Sequence, residues 1–349
     1  MMTSTSTWII LLLIILPGCG TSTQDVLVDY RERVERVTRA EDIDVDVPPI
    51  ATWPRPRALT VPLPEFRIGL LDFLSLDPCP ALSSLVAERN SGLGRVLAPS
   101  QRLLYEHRFL VAAGACADTL AVRNDPEMAS RLRQVIDEKE GSLPAVLWNA
   151  VFGSRDMARL MALGDGPLPV GAPLSPPGSA VRDALARLRS LRMAIGTTAV
   201  DPDPAAFEAP FRQLQASRYG GSLLQSAALL ARELGTVAVI LERRLVSGRL
   251  CPQGVDTRES ETLMRIFHEI YGVRVQPYLA RVHREGDLFF ADWTGLADTL
   301  VPTPDFSVYQ QAHLGPGGTW PRFEAAIDRH NTAWQGVLDA CGSQLGGDG

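Results

Sequence analysis

The sequence predicts a mostly α-helical fold: a bundle-like helical domain preceded by a Pro-rich extended strap. Three observations carry this. Apolar residues recur at spacings of three and four through most of the chain, as in Leu103, Leu104, His107, Leu110 and Val111. Helix-start signals punctuate those stripes, with Asp125-Pro126 and Asp203-Pro204 each placing a cap residue before a proline suited to the first turn. Six prolines fall between Pro48 and Pro64, a density that argues against regular helix there. The chain then divides into a signal peptide (1–18), an N-terminal segment of tether, short helix and strap (19–66), and a helical domain (67–345). The Gly/Pro-rich stretch 164–178 is a candidate subdomain break.

The first element is Trp8 to Leu16, nine apolar residues in a row, followed by Pro17, Gly18 and Cys19. A bilayer-spanning helix needs about 20 residues, so this run is too short to cross but suits the core of a signal peptide. Leu16-Pro17-Gly18-Cys19 resembles a bacterial lipobox, in which the cysteine is lipidated and becomes the mature N-terminus. Gly20, rather than Asp, follows the cysteine, and by resemblance to lipoproteins this favours the outer membrane. More than one acyl chain on a cysteine suffices for stable anchoring.

Next comes a short amphipathic helix with Val26, Tyr30, Val34 and Val37 on one face. In the Pro-rich segment, Trp53, Leu59, Val61, Leu63 and Phe66 are placed to dock it against the body. Arg67 to Leu76 fits strand and helix equally. Pro80 opens a helix that Asn90 to Gly94 breaks, Ser100 is positioned to cap the following one, and Asp125-Pro126 starts a third. Ser142 reads as the cap of a separate helix, Leu143 to Phe152, ended by Gly153. After the 164–178 stretch, Val181, Leu185, Leu188 and Leu191 resume the pattern. Ser222, read as a cap, precedes the most apolar helix of the chain, which is predicted to be central and buried. Arg232 and Glu233 in mid-run argue against a membrane span. Pro277 marks a kink or boundary before a helix over Leu288 to Leu300. In the last helix Phe323, Ile327, His330, Trp334, Val337 and Cys341 form a seam spaced 4, 3, 4, 3, 4.

Composition narrows the classes of function. At 46% hydrophobic and 21% charged the chain is globular, and a net charge of −6 argues against nucleic acid as a partner. Of 34 basic residues only Lys139 is a lysine, and its neighbours Asp137, Glu138 and Glu140 suggest a solvated surface. With Cys19 assigned to the lipid, Cys79, Cys116, Cys251 and Cys341 remain, an even set for an oxidising compartment. The pairing Cys79–Cys116 and Cys251–Cys341 is favoured because neither loop entangles the other, each bridge being worth roughly 3–5 kcal/mol by loop entropy. The spacings match no zinc pattern, and no metal or other cofactor is expected.

Catalytic motifs are not found: there is no Gly-x-Ser-x-Gly elbow, no His-Glu-x-x-His and no phosphate-binding glycine loop. His330, on the apolar seam, reads as a packed core histidine. One polar stretch stands apart. Arg89, Asn90, Arg95, Gln101, Arg102, Tyr105 and Glu106 surround a glycine hinge, and they read either as a pocket for an anionic or carbohydrate group or as a network fixing a turn between two helices.

Several longer runs carry a resemblance: PRPRALTVPLPEFRIGLLDFLSLDPC, AERNSGLGRVLAPSQRLLYEHRFL, LPAVLWNAVFGS and VQPYLARVHR. They are similar to the domain of unknown function 3080 family of proteobacterial lipoproteins. The resemblance implies a lipoprotein signal and a helical body; it implies no activity, ligand or catalytic residue.

The expectation from these readings is a non-enzymatic, lipid-anchored envelope protein on the periplasmic face of the outer membrane, supporting or binding an envelope protein or glycan. The alternative is an envelope hydrolase or ligand-binding lipoprotein that uses the Arg89–Glu106 region. The geometry of those side chains separates the two: convergence on an open pocket favours a ligand site, and mutual pairing favours structure.

Overall fold

A computed structural model describes residues 22–40, 43, 45–64, 77–171, 176–200 and 203–342. The described residues are helical and contain no strand. Cys19, Phe66 and the stretch Arg67 to Leu76 lie outside them.

The body is built around a long helix, α9. The elements before it are α1 (Thr23–Thr38), α2 (Pro56–Leu59), α3 (Pro80–Asn90), α4 (Pro99–Val122), α5 (Pro126–Val151), α6 (Arg155–Leu160), α7 (Pro176–Ala194) and α8 (Pro204–Gln215); α9 itself is Tyr219–Val246. After it come α10 (Arg258–Arg265), α11 (Gln276–Ala297), α12 (Pro304–Leu314) and α13 (Thr319–Ala340). Helix α9 is apolar on nearly every face, so it is covered on nearly every face: α1, α11 and α13 all pack on it, and Leu223, Leu230, Leu234 and Val237 are fully buried. The stretch Pro204–Val246 is long and apolar enough to cross a membrane, yet 78% of its most apolar window is buried inside the molecule. The charges in mid-helix are matched too, because Glu233 accepts from Arg31 at 2.8 Å and from Arg232 at 3.0 Å.

The seam of α13 faces inward as its spacing predicts, with Phe323, His330, Trp334, Val337 and Cys341 buried and Ile327 half-buried. Helix α1 buries Val26, Tyr30 and Val34 and begins with a capping box: the Ser22 hydroxyl accepts the Asp25 N–H, and the Asp25 carboxylate accepts the Ser22 N–H. A second hydrophobic cluster lies apart from the main one. It joins Leu82 and Val86 of α3, Phe109, Ala113 and Leu120 of α4, and Leu132 of α5. The main cluster contains Leu160 and Val181, on either side of the 164–178 stretch, and Leu168 within it.

Several local readings need correction. The helix expected to begin after Ser142 is the second half of α5, which runs unbroken through Gly141, Ser142 and Pro144. Proline removes the hydrogen bond to Glu140, but that residue faces water, and the Ser142 hydroxyl bonds back to the Lys139 carbonyl at 2.8 Å instead of capping. Ser100 is not a cap either: α4 starts at Pro99, and the Gln101 side chain accepts the Ala98 N–H at 3.2 Å. Ser222 sits inside α9, three residues past its start. The six prolines do allow one helical turn, α2, because Pro56 occupies the first position and Leu59 is buried. Finally, the helix expected over Leu288 to Leu300 starts much earlier. A π-helical segment, Ile266–Val275, joins α10 to α11, and Pro277 stands in the first turn of α11.

The four described cysteines form two disulfides, Cys79–Cys116 and Cys251–Cys341, with Cα separations of 5.5 and 5.2 Å. The first pins the start of α3 to α4. The second ties the end of α13 to the turn after α9.

Candidate functional site

The polar stretch of the sequence becomes a charge cluster between α3, α4 and α5. Arg102 and Glu106 lie one helical turn apart on α4, and the Arg102 Nε donates to Glu106 Oε1 at 2.5 Å. The other carboxylate oxygen accepts from Lys139 Nζ on α5 at 2.6 Å. Glu106 and Lys139 are 2% and 4% exposed. Around the Tyr105 ring stand three cations: Arg89 at 6.0 Å, Arg102 at 5.8 Å and Lys139 at 5.7 Å. Burial and the adjacent Glu106 carboxylate push the Tyr105 hydroxyl up to about 12. Burial draws the Lys139 amine below its ordinary value, against the pull of Glu106. Arg89 closes the glycine turn by donating to the Gly94 carbonyl. Gly94 is required at that turn, since a Cβ there would sit 2.2 Å from the Glu88 carbonyl oxygen.

The structure therefore brings together Arg89, Arg102, Tyr105 and Glu106 and leaves Asn90, Arg95 and Gln101 exposed at the surface. Lys139 is the member that the sequence reading misplaced. It is buried, not solvated, because it continues the apolar stripe of α5: Leu132, Ile136, Lys139 and Leu143 are spaced 4, 3, 4. That stripe, rather than the neighbouring charges, is the signal that places it. With both oxygens of Glu106 engaged by cations, this carboxylate is a cross-link between helices and not a free base or ligand arm.

Residues 45–64 lie across the main body, and their backbone is held by side chains of the helices. Asn149 acts as a two-pronged clamp on Val61, accepting its N–H and donating to its carbonyl, both at 2.8 Å. Trp148 Nε1 donates to the Leu59 carbonyl at 2.7 Å. His313 Nε2 donates to the Ala51 carbonyl at 3.0 Å; its Nδ1 meets the Thr319 hydroxyl, also at 3.0 Å. Since a carbonyl only accepts, Nε2 carries a proton. Burial lowers the His313 pKa to about 4. Trp53 fits edge-on to Trp293, Phe306 and Tyr309. Two open grooves flank Pro48-Pro49. The larger, about 690 Å³, runs to α12 at Val308 and Gln311 and to Arg322. The smaller, about 270 Å³, runs to Gln24, Pro167, Gln225 and Arg232.

A third polar cluster is neutral and deep. Trp334 Nε1 donates to the Tyr30 hydroxyl at 2.9 Å and to His330 Nε2 at 3.2 Å, and Tyr30 lies 2.8 Å from the same nitrogen. An indole N–H only donates, so Nε2 is an acceptor and the ring is neutral. Burial lowers the His330 pKa to about 3. The packed-histidine reading describes this geometry.

The described residues thus hold two disulfides, a paired charge cluster and neutral buried histidines within a helical body. The chain belongs to the family described as "Protein of unknown function (DUF3080)", whose model matches residues 27–345. No curated protein and no solved structure matches the chain.

Proposed function

We propose that this protein is acylated at Cys19, is held on the periplasmic face of the outer membrane, and serves as a non-enzymatic factor that binds or supports an envelope partner. One observation carries the reading: of five cysteines, four are joined in two disulfides, and the remaining one stands in the lipobox-like Leu16-Pro17-Gly18-Cys19. The engagement of both Glu106 oxygens argues against a hydrolytic site in the Arg89–Glu106 region. The groove between Pro48-Pro49 and α12 is the binding surface in this reading, with Val308, 71% exposed, on its wall.

The reading is tested by replacing Val308 with a photo-crosslinking amino acid in cells that make the full-length protein. A discrete adduct that forms at position 308, and not at exposed Val122 on α4, supports it. Identical adduct patterns at the two positions, or a purified protein that turns over envelope esters or glycans, would contradict it.

A further inference from the structure

We infer that one end of the molecule is its membrane-apposed face: the first turn of α1, with Pro167 and the part-exposed Gln225 of α9, lies against the lipid headgroups. This rests on the acylation of Cys19 proposed above. Only Gly20, Thr21 and Ser22 separate Cys19 from the first residue of α1. An extended chain covers at most about 3.6 Å per residue, so the anchor lies within about 14 Å of Thr23.

A short tether orients a body only if it leads into something rigid, and α1 begins rigidly. The capping box fixes its first turn. Thr23, buried, donates through its hydroxyl to the Leu168 carbonyl at 2.8 Å and accepts the Val170 N–H at 3.0 Å. Leu168 is held in turn by Ser226 of α9, whose hydroxyl accepts its N–H at 2.9 Å. One turn further on, Leu27 is fully buried.

These contacts also give the direction. Through Leu168, Thr23 is linked to Ser226, and Arg31 pairs with Glu233. Eight residues along α1 thus match seven along α9, so the two helices run side by side in the same sense. Both begin at the anchored end. The end of α9 lies far from it: at about 1.5 Å per residue, Val246 is about 30 Å along the axis from Gln225.

The composition of the anchored end suits a headgroup layer, not hydrocarbon. The groove there sets Gln24, Gln225 and Arg232 beside half-buried Val47 and Ile50 and buried Leu229, and none of the exposed large apolar residues among the described ones lines it. A net charge of −6 gives no attraction to anionic lipid, so the tether's length does the orienting.

The experiment uses the full-length protein, purified from membranes with its disulfides oxidised and reconstituted into phosphatidylethanolamine–phosphatidylglycerol vesicles that contain a headgroup-attached nitroxide quencher. A fluorophore is placed on Gln24→Cys or on Val246→Cys, two exposed positions. Quenching is expected to be several-fold stronger at position 24 than at position 246. Insertion of about a dozen flexible Gly/Ser residues between Gly20 and Thr21 should bring position 24 down to the level of position 246, with flotation on the vesicles unchanged. Equal quenching at both positions with the native tether, or a difference that survives the insertion, overturns the inference. The N-terminal peptide of the same sample is weighed: an acylated peptide with equal quenching defeats this inference alone, whereas an unacylated one defeats the anchor as well.

Discussion

Two tyrosines sit at the centre of two buried polar clusters, and the clusters are stabilised by opposite means. Around Tyr105, between α3, α4 and α5, the partners are ions: Glu106 is clasped by Arg102 and Lys139. Around Tyr30, between α1 and α13, they are neutral: an indole and an imidazole that has given up its charge. The first cluster belongs to the smaller hydrophobic core and the second to the larger. Glu106 and Lys139 are buried as ions, so each charged head needs a partner. A large core excludes water well enough to keep histidine neutral. The two should therefore fail differently.

The largest effect is expected from the disulfide of the larger region. Replacing Cys251 and Cys341 by alanine opens a loop of 90 residues. The chain-entropy model gives a loss of about 4–5 kcal/mol, read as a lower urea midpoint under oxidising conditions. The Cys79–Cys116 loop of 37 residues should cost slightly less.

Next is the charged cluster. Glu106→Gln leaves Lys139 buried without its counter-ion and should cost about 3–5 kcal/mol. Glu106→Leu combined with Lys139→Met should recover most of that loss, because a buried ion pair exchanged for apolar groups is often neutral. Arg102 then turns outward, its side chain being 19% exposed already. If the double variant is as unstable as the single one, the cluster is more than a cross-link.

The neutral cluster predicts a pH response. The folded-state pKa values of His330 and His313 lie near 3 and 4, well below the usual 6.5. Below pH 6.5 the unfolded chain takes up protons that the folded one refuses, so stability is full above that value and falls as pH drops toward the folded pKa values. Urea midpoints should decline between pH 7 and 4.5 by an amount equivalent to roughly 2–3 kcal/mol per histidine. His330→Gln, which has no proton to gain, should flatten the decline; an unchanged slope would remove His330 from the account.

The smallest effect concerns the segment across the body. Asn149→Ala removes both bonds to Val61 and should cost about 1–3 kcal/mol, with faster amide exchange confined to residues near Val61. Global loosening would show that Asn149 supports the core and not the segment.

How much of this was legible in the sequence depended on whether a side chain's neighbours lie on its own helix. Periodicity alone placed α9 at the centre and turned Phe323, His330 and Trp334 of α13 inward, because burial repeats with the helical turn. The pairing of Cys251 with Cys341 followed from non-entangling loops. Lys139 was misread because its sequence neighbours are charged while its spatial neighbours, Glu106 and the rings of Tyr105 and Phe109, come from another helix. The clamp of Asn149 on Val61 spans 88 residues and leaves no local trace. The same holds for His313 on Ala51, 262 residues apart. A serine letter does not by itself mark a cap: Ser100, Ser142 and Ser222 all lie inside helices, and the Ser142 hydroxyl bonds back to its own turn.

The fate of Cys19 decides the anchor, the orientation and the proposed role together, and the decisive measurement is the mass of the N-terminal peptide of the protein isolated from the membranes of cells that make it. The result expected is a chain beginning at Cys19 that carries fatty acyl groups. A peptide that retains Trp8 to Gly18, or a Cys19 bearing a free thiol, would contradict it.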